Sequence, residues 1–211
     1  MSDFLKVFPF IFGAAISPVL LVTVLFILSR PTQPVKKALV YLLGATITIS
    51  IITAVIFFST QIRPTPAPRN DLIPHLIIGF LLLFLALDIF RKGPQKKKQN
   101  TNMKQGLLGF FVLGVVLMVT NFTTIAMIFE VALDLRQLQV VGIQKTLYLL
   151  VTVIFSILPI VLPLLILALA GKNSERILDA LSGFMQKYAH IVTSVFFAIL
   201  GAYVLLKPFL Q

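Results

Sequence analysis

Thr146 to Ala170 reads TLYLLVTVIFSILPIVLPLLILALA, 25 residues without a charged side chain. At 1.5 Å per residue, a helix of that length exceeds the roughly 30 Å hydrocarbon core of a bilayer. Five further stretches repeat the pattern: Leu5–Leu28, Ala38–Phe58, Leu72–Phe90, Gly106–Phe129 and Ile191–Leu210. Their apolar residues are continuous rather than alternating with period two, which excludes a lipid-facing β-barrel and leaves helices. The sequence therefore reads as an all-α membrane protein with six transmembrane helices.

Composition narrows the function classes. With 58% hydrophobic residues, the chain has too little polar surface to cover a soluble globule. The absence of cysteine removes disulfides and thiolate metal sites. A net charge of +11 would suit nucleic acid, but the bases flank the apolar runs as topology signals do, so no nucleic-acid partner is expected. Loops after the first, third and fifth spans carry 12 of the 18 Lys and Arg: Arg30, Lys36 and Lys37, the run Arg91–Lys104, then Lys172, Arg176 and Lys187. Basic loops stay cytoplasmic, so the expectation is a multi-pass plasma (inner) membrane protein with both termini outside. The first run is too long for a removable signal peptide, and lacks its basic n-region, so it reads as a retained span.

The basic segment 93–105 is a solvated linker between two halves, residues 1–92 and 106–211, with three spans each. His75, Asp88 and Lys92 in the third span recur at the same spacings as His190, Tyr203 and Lys207 in the sixth. An odd number of spans per half requires the second copy to be inverted, so the halves read as two inverted three-helix repeats. Interrupted helices at matching positions of such repeats point to a transporter with a site near the membrane midplane. Here the interruptions are Gly13-Ala-Ala-Ile-Ser17-Pro18 and Thr120-Asn121-Phe-Thr123-Thr124.

The segments Ile16-Ser17-Pro18-Val19-Leu20, Leu28-Ser29-Arg30-Pro31 and Ala38–Gly44 resemble the first half of the lysine exporter (LysE) superfamily. Within it the chain is most similar to the Sap/GAP family, the sulfolipid- and glycopeptidolipid-addressing proteins. Leu158-Pro159 through Pro163 and Glu175-Arg176-Ile177-Leu178 extend the likeness towards the C-terminus. Many relatives carry Asn-Pro-Lys where this chain has Asn121-Phe122-Thr123, so an anion contact at that lysine is not expected here. The resemblance implies a small exporter or lipid-translocating carrier.

Candidate substrate-binding residues are Ser17, Pro18, Thr120, Asn121, Thr123 and Thr124. Proline lacks an N–H and breaks a helix near the preceding turn, exposing backbone groups that either bind substrate or are repaired by neighbouring helices. Asn121 has two donors and an acceptor that one carbonyl cannot satisfy, so it serves either as interhelical glue or as the lining of a polar cavity. Candidates for coupling or gating are Asp88, Glu130, Asp134, His75, His190, Pro159 and Pro163. Asp88 stands one turn before Lys92, where a local ion pair competes with a proton relay. Glu130 and Asp134 share a helical face near the outer mouth, and His75 and His190 are read near the outer ends of their spans. Pro159 and Pro163, four residues apart, bend the fifth span, as a hinge or as static packing.

Ser174–Lys187 has apolar residues at Ile177, Leu178, Leu181, Phe184 and Met185, a spacing that predicts an amphipathic interfacial helix near 174–188 leading into the sixth span. No phosphate-binding loop, catalytic triad or His-Glu metal motif occurs, so no enzyme activity, nucleotide, cofactor or metal is expected. Gly44, Gly79 and Gly201 mark close helix contacts, within one copy or in a homodimer. The leading function is a secondary transporter that exports or flips a glycolipid or other amphiphilic membrane lipid outward. An exporter of a small polar solute or divalent cation, and a non-transporting scaffold for lipid synthesis or export, are the alternatives.

Overall fold

The computed structural model describes residues 2–62, 72–93, 106–137, 142–171 and 174–210. The basic linker from residue 94 onward, with Lys96–Lys98 and Lys104, lies outside the described residues, as do Arg63, Arg69 and Lys172. Among the described residues all regular structure is helical: α1 (Ser2–Ala14), α2 (Pro18–Leu28), α3 (Pro34–Ile62), α4 (Leu72–Lys92), α5 (Leu107–Val119), α6 (Phe122–Gln137), α7 (Gly142–Leu169) and α8 (Ser174–Leu210). Among the described residues four stretches are long and apolar enough to cross a membrane: Val7–Leu28, Pro34–Thr60, Gly142–Leu169 and Lys187–Leu206. The pair α5/α6, bent by 58°, makes a fifth if it counts as one span. α4 is not among them, and its last turns carry Asp88, Arg91 and Lys92.

The two expected interruptions are real breaks. Ser17 leaves helical geometry at φ −130° and ψ 90°, and Pro18 starts α2 at its first position, where its missing N–H costs nothing. The second break contains no proline. There α5 closes at Thr120 (φ −86°, ψ 0°) and α6 restarts at Phe122.

Two apolar clusters organise the bundle. One joins α1, α4, α6 and α8 through Phe10, Ile11, Leu82, Met127, Phe197 and Leu200. The other joins α2, α3, α5 and α7 through Leu20, Tyr41, Ile49, Phe110, Met118 and Ile160, with Ile128 of α6 reaching across. Each broken helix thus sends one half into each cluster. Glycine lets the backbones meet inside both. A Cβ at Gly44 would collide with the Phe111 carbonyl and one at Gly114 with the Tyr41 carbonyl, while Gly79 and Gly201 face each other across α4 and α8. These glycines, among them the three expected to mark close contacts, pack within one chain.

Side-chain pairs fix the helix directions. α1 and α6 are antiparallel, since Gly13 meets Met127 while Ser17 meets Asn121. α8 is also antiparallel to α1, with Phe10 against Tyr203 at 5.8 Å and Phe12 against Phe196 at 6.2 Å between ring centroids. α3 and α5 start at the same end, where Lys37 Nζ lies 5.7 Å from the centre of the Phe110 ring.

α8 is continuous from Ser174 to Leu210, so the amphipathic segment 174–188 runs without a break into the last span as the first part of a 37-residue helix. One expectation changes. His75 and His190 do not share an end of the bundle. His75 sits beside Glu130, on the α1 side of the first break, whereas the antiparallel course of α8 carries His190 beyond that break. Large apolar side chains face outward along the helices: Phe58, Phe80, Phe84, Leu108 and Ile143 are all more than 60% exposed, as suits a hydrocarbon solvent.

Candidate functional site

The breaks meet. Asn121 Nδ2 donates to Ser17 Oγ at 3.0 Å, across 104 residues of chain. Asn121 Oδ1 in turn accepts from Thr123 Oγ1 at 2.9 Å and from the Thr124 backbone N–H at 3.4 Å. Asn121 is therefore the N-cap of α6, which explains how a helix restarts here without proline. In a continuous α1/α2 helix the Ala14 carbonyl would accept from residue 18, but Pro18 has no N–H. Thr124 Oγ1 takes that place, donating to Ala14 O at 3.3 Å.

Of the six sequence-chosen residues, Ser17, Pro18, Asn121, Thr123 and Thr124 assemble at this junction. Thr120 does not. It is exposed, and its hydroxyl donates back to Val116 O at 2.8 Å. Ser17 and Thr124 are buried, while Asn121, Thr123 and Pro18 are partly open. The junction combines hydroxyl, amide and backbone groups with no formal charge, a set able to hydrogen-bond a polar headgroup.

The coupling candidates scatter. Asp88 pairs with Lys92, Oδ2 to Nζ at 2.6 Å, on the surface one turn from the end of α4. Pro159 and Pro163 are buried with Thr152 and Ser156 on one face of α7, which stays a single helix through both. His190 is half-buried in mid-α8. Glu130 and Asp134 are instead deep in the protein, 0% and 3% exposed. His75 Nε2 of α4 lies 3.4 Å from Glu130 Oε2. Sequence reasoning named these residues separately and missed the pairing. The usable signal was coarser: both residues were read near the outer ends of their spans.

A family model described as "Sap, sulfolipid-1-addressing protein" matches residues 7–208. The chain belongs to the Sap family. The match runs from the middle of α1 almost to the end of α8, so both helix breaks and the His75–Glu130 pair lie within the Sap region. No curated protein and no solved structure matches the chain.

Proposed function

We propose that the protein is a secondary transporter that moves a glycolipid or similar amphiphile outward across the plasma (inner) membrane, binding its headgroup at the Ser17–Asn121 junction. The observation that carries this reading is the meeting of two broken helices at a polar point between two apolar helix clusters. Breaking a helix in hydrocarbon is costly unless the freed groups are repaired or used, and transporter sites use such breaks. The family description, which names a sulfolipid, supports a lipid as cargo.

In this reading α4 is the remaining span, α1/α2 and α5/α6 each cross once, and residues 1–92 and 106–211 are inverted repeats of the kind seen in the LysE superfamily. The antiparallel courses of α1 with α6 and of α1 with α8 favour it. So does the exposed apolar stripe Ile73, Ile77, Phe80 and Phe84 on α4. The charge distribution favours both termini outside.

Reconstitution tests the function. Purified protein in liposomes should move a fluorescent short-chain glycolipid between leaflets faster than protein-free liposomes. A stable protein with no lipid flux would turn the search to small solutes, or to a scaffold role.

A further inference from the structure

We propose that His75 and Glu130 form a one-proton site that couples a proton gradient to export, an inference that rests on the transporter reading above. Ionisable side chains inside a membrane protein are expensive and mark ion or proton pathways. Here the two stand 3.4 Å apart with side chains 4% and 0% exposed, on different helices. Glu130 is nine residues after Asn121 on α6, roughly 14 Å along the helix axis. It therefore sits in the outer half of the bundle if Asn121 is at mid-depth.

The pair is placed to act on the substrate junction. α4 is fixed to α8 by the Gly79–Gly201 contact, one turn from His75, and so offers a firm partner. α6 begins with the Asn121 cap that holds Ser17. An ionised Glu130 draws α6 onto His75; a proton on Glu130 removes its charge and weakens that hold. The protonation state thus biases the position of the helix that carries Asn121. No covalent chemistry is involved: a proton binds from the outer side and leaves to the inner side as the amphiphile moves outward.

The charged and titratable neighbours can be named. On α6 itself they are Asp134, buried one turn further on, and Arg136, half-buried beyond it. α7 brings Lys145 and Tyr148 at its outer end, the last turns of α8 carry Tyr203 and Lys207, and the first turns of α1 carry Asp3 and Lys6. On α3 the described cations Lys36 and Lys37 are at the far end, as are Asp88, Arg91 and Lys92 on α4. Asp134 continues the Glu130 face outward and gives an arriving proton a second acceptor.

The test uses full-length protein in liposomes with a fluorescent sulfated short-chain glycolipid and an entrapped pH dye. An imposed proton gradient should raise wild-type lipid flux several-fold, with lipid-dependent proton entry. Glu130→Gln and His75→Gln should keep the gradient-independent flux and lose both the stimulation and the proton entry. The double variant His75→Gln/Glu130→Gln retains a neutral pair of similar shape, and thermal unfolding in detergent checks that all variants fold.

Stimulation of Glu130→Gln equal to wild type would overturn the proposal. Wild-type lipid flux indifferent to the gradient would overturn coupling and leave the carrier reading standing. Absence of any wild-type flux would remove the carrier reading and coupling together. Proton binding is then read from the carboxyl C=O infrared band. A band that titrates in wild type and vanishes in Glu130→Gln supports the proton site, and no such band overturns it.

Discussion

Thr124 Oγ1 donates to the Ala14 carbonyl where the helix, interrupted by Pro18, has no N–H to give. One break is thus mended by the helix that starts at the other. The same pair of segments is tied again by Asn121 and Ser17. Removing either tie leaves a buried polar group without its partner, and that asymmetry makes the junction measurable.

Thr124→Val keeps the volume and deletes the donor. It should lower stability by about 1 kcal/mol, read as a fall in unfolding temperature in detergent. Pro18→Ala restores an N–H at residue 18, and in that background Thr124→Val should cost less. Equal costs in both backgrounds would show that Thr124 does not stand in for the missing N–H.

Glycine contacts give a second prediction. Gly44→Ala and Gly114→Ala put a methyl into a backbone carbonyl of the facing helix, which side-chain rearrangement cannot relieve. Each should cost on the order of 1–3 kcal/mol, the usual range for overpacking. Gly183→Ala, where nothing lies within 4 Å of the new methyl, should leave the protein at least as stable. Similar unfolding temperatures for all three would contradict the close α3–α5 packing.

Orientation is tested on a chain that has no native cysteine. Gln99→Cys introduces a single thiol into the basic linker. If that linker is cytoplasmic, a membrane-impermeant thiol reagent should leave it unlabelled in intact cells and label it after permeabilisation. Labelling in intact cells would reverse the orientation while leaving the helices unchanged.

The helices and the breaks were legible because hydropathy and proline act locally. Pro18 forbids a bond to residue 14 whatever surrounds it, and Asn121 among threonines is conspicuous in an apolar run. The meeting of Ser17 with Asn121 followed only from the repeat argument, which supplied a long-range relation that local pattern lacks. His75 with Glu130 was not legible as a pair, because a side-chain contact between α4 and α6 depends on how each helix is rotated. His190 was misplaced for a related reason: spacing along the chain does not say which way a helix runs against its neighbours, and α8 runs antiparallel to α1. The continuous α8 escaped because an amphipathic pattern followed by an apolar one looks like two elements. Nothing between Lys187 and Ile191 breaks the helix.

The prediction that bears most directly on function is Asn121→Leu. Leucine has the same branched heavy-atom skeleton as asparagine but can neither donate to Ser17 nor accept from Thr123 and Thr124. The loss of one interhelical bond costs about 1 kcal/mol, small enough for the bundle to survive, although the α6 cap is lost as well. Glycolipid flux in liposomes should be abolished while insertion and detergent stability are largely retained. Ser17→Ala should reduce flux only partly, because Asn121 and the backbone freed by Pro18 remain at the junction. Thr120→Val is the matched control: its hydroxyl donates within its own helix, to Val116 O, so flux should stay near wild type. Full flux in Asn121→Leu would remove the junction as the substrate site. A loss as severe in Thr120→Val would show that the effect arises from the bend between α5 and α6, and not from headgroup binding at Asn121.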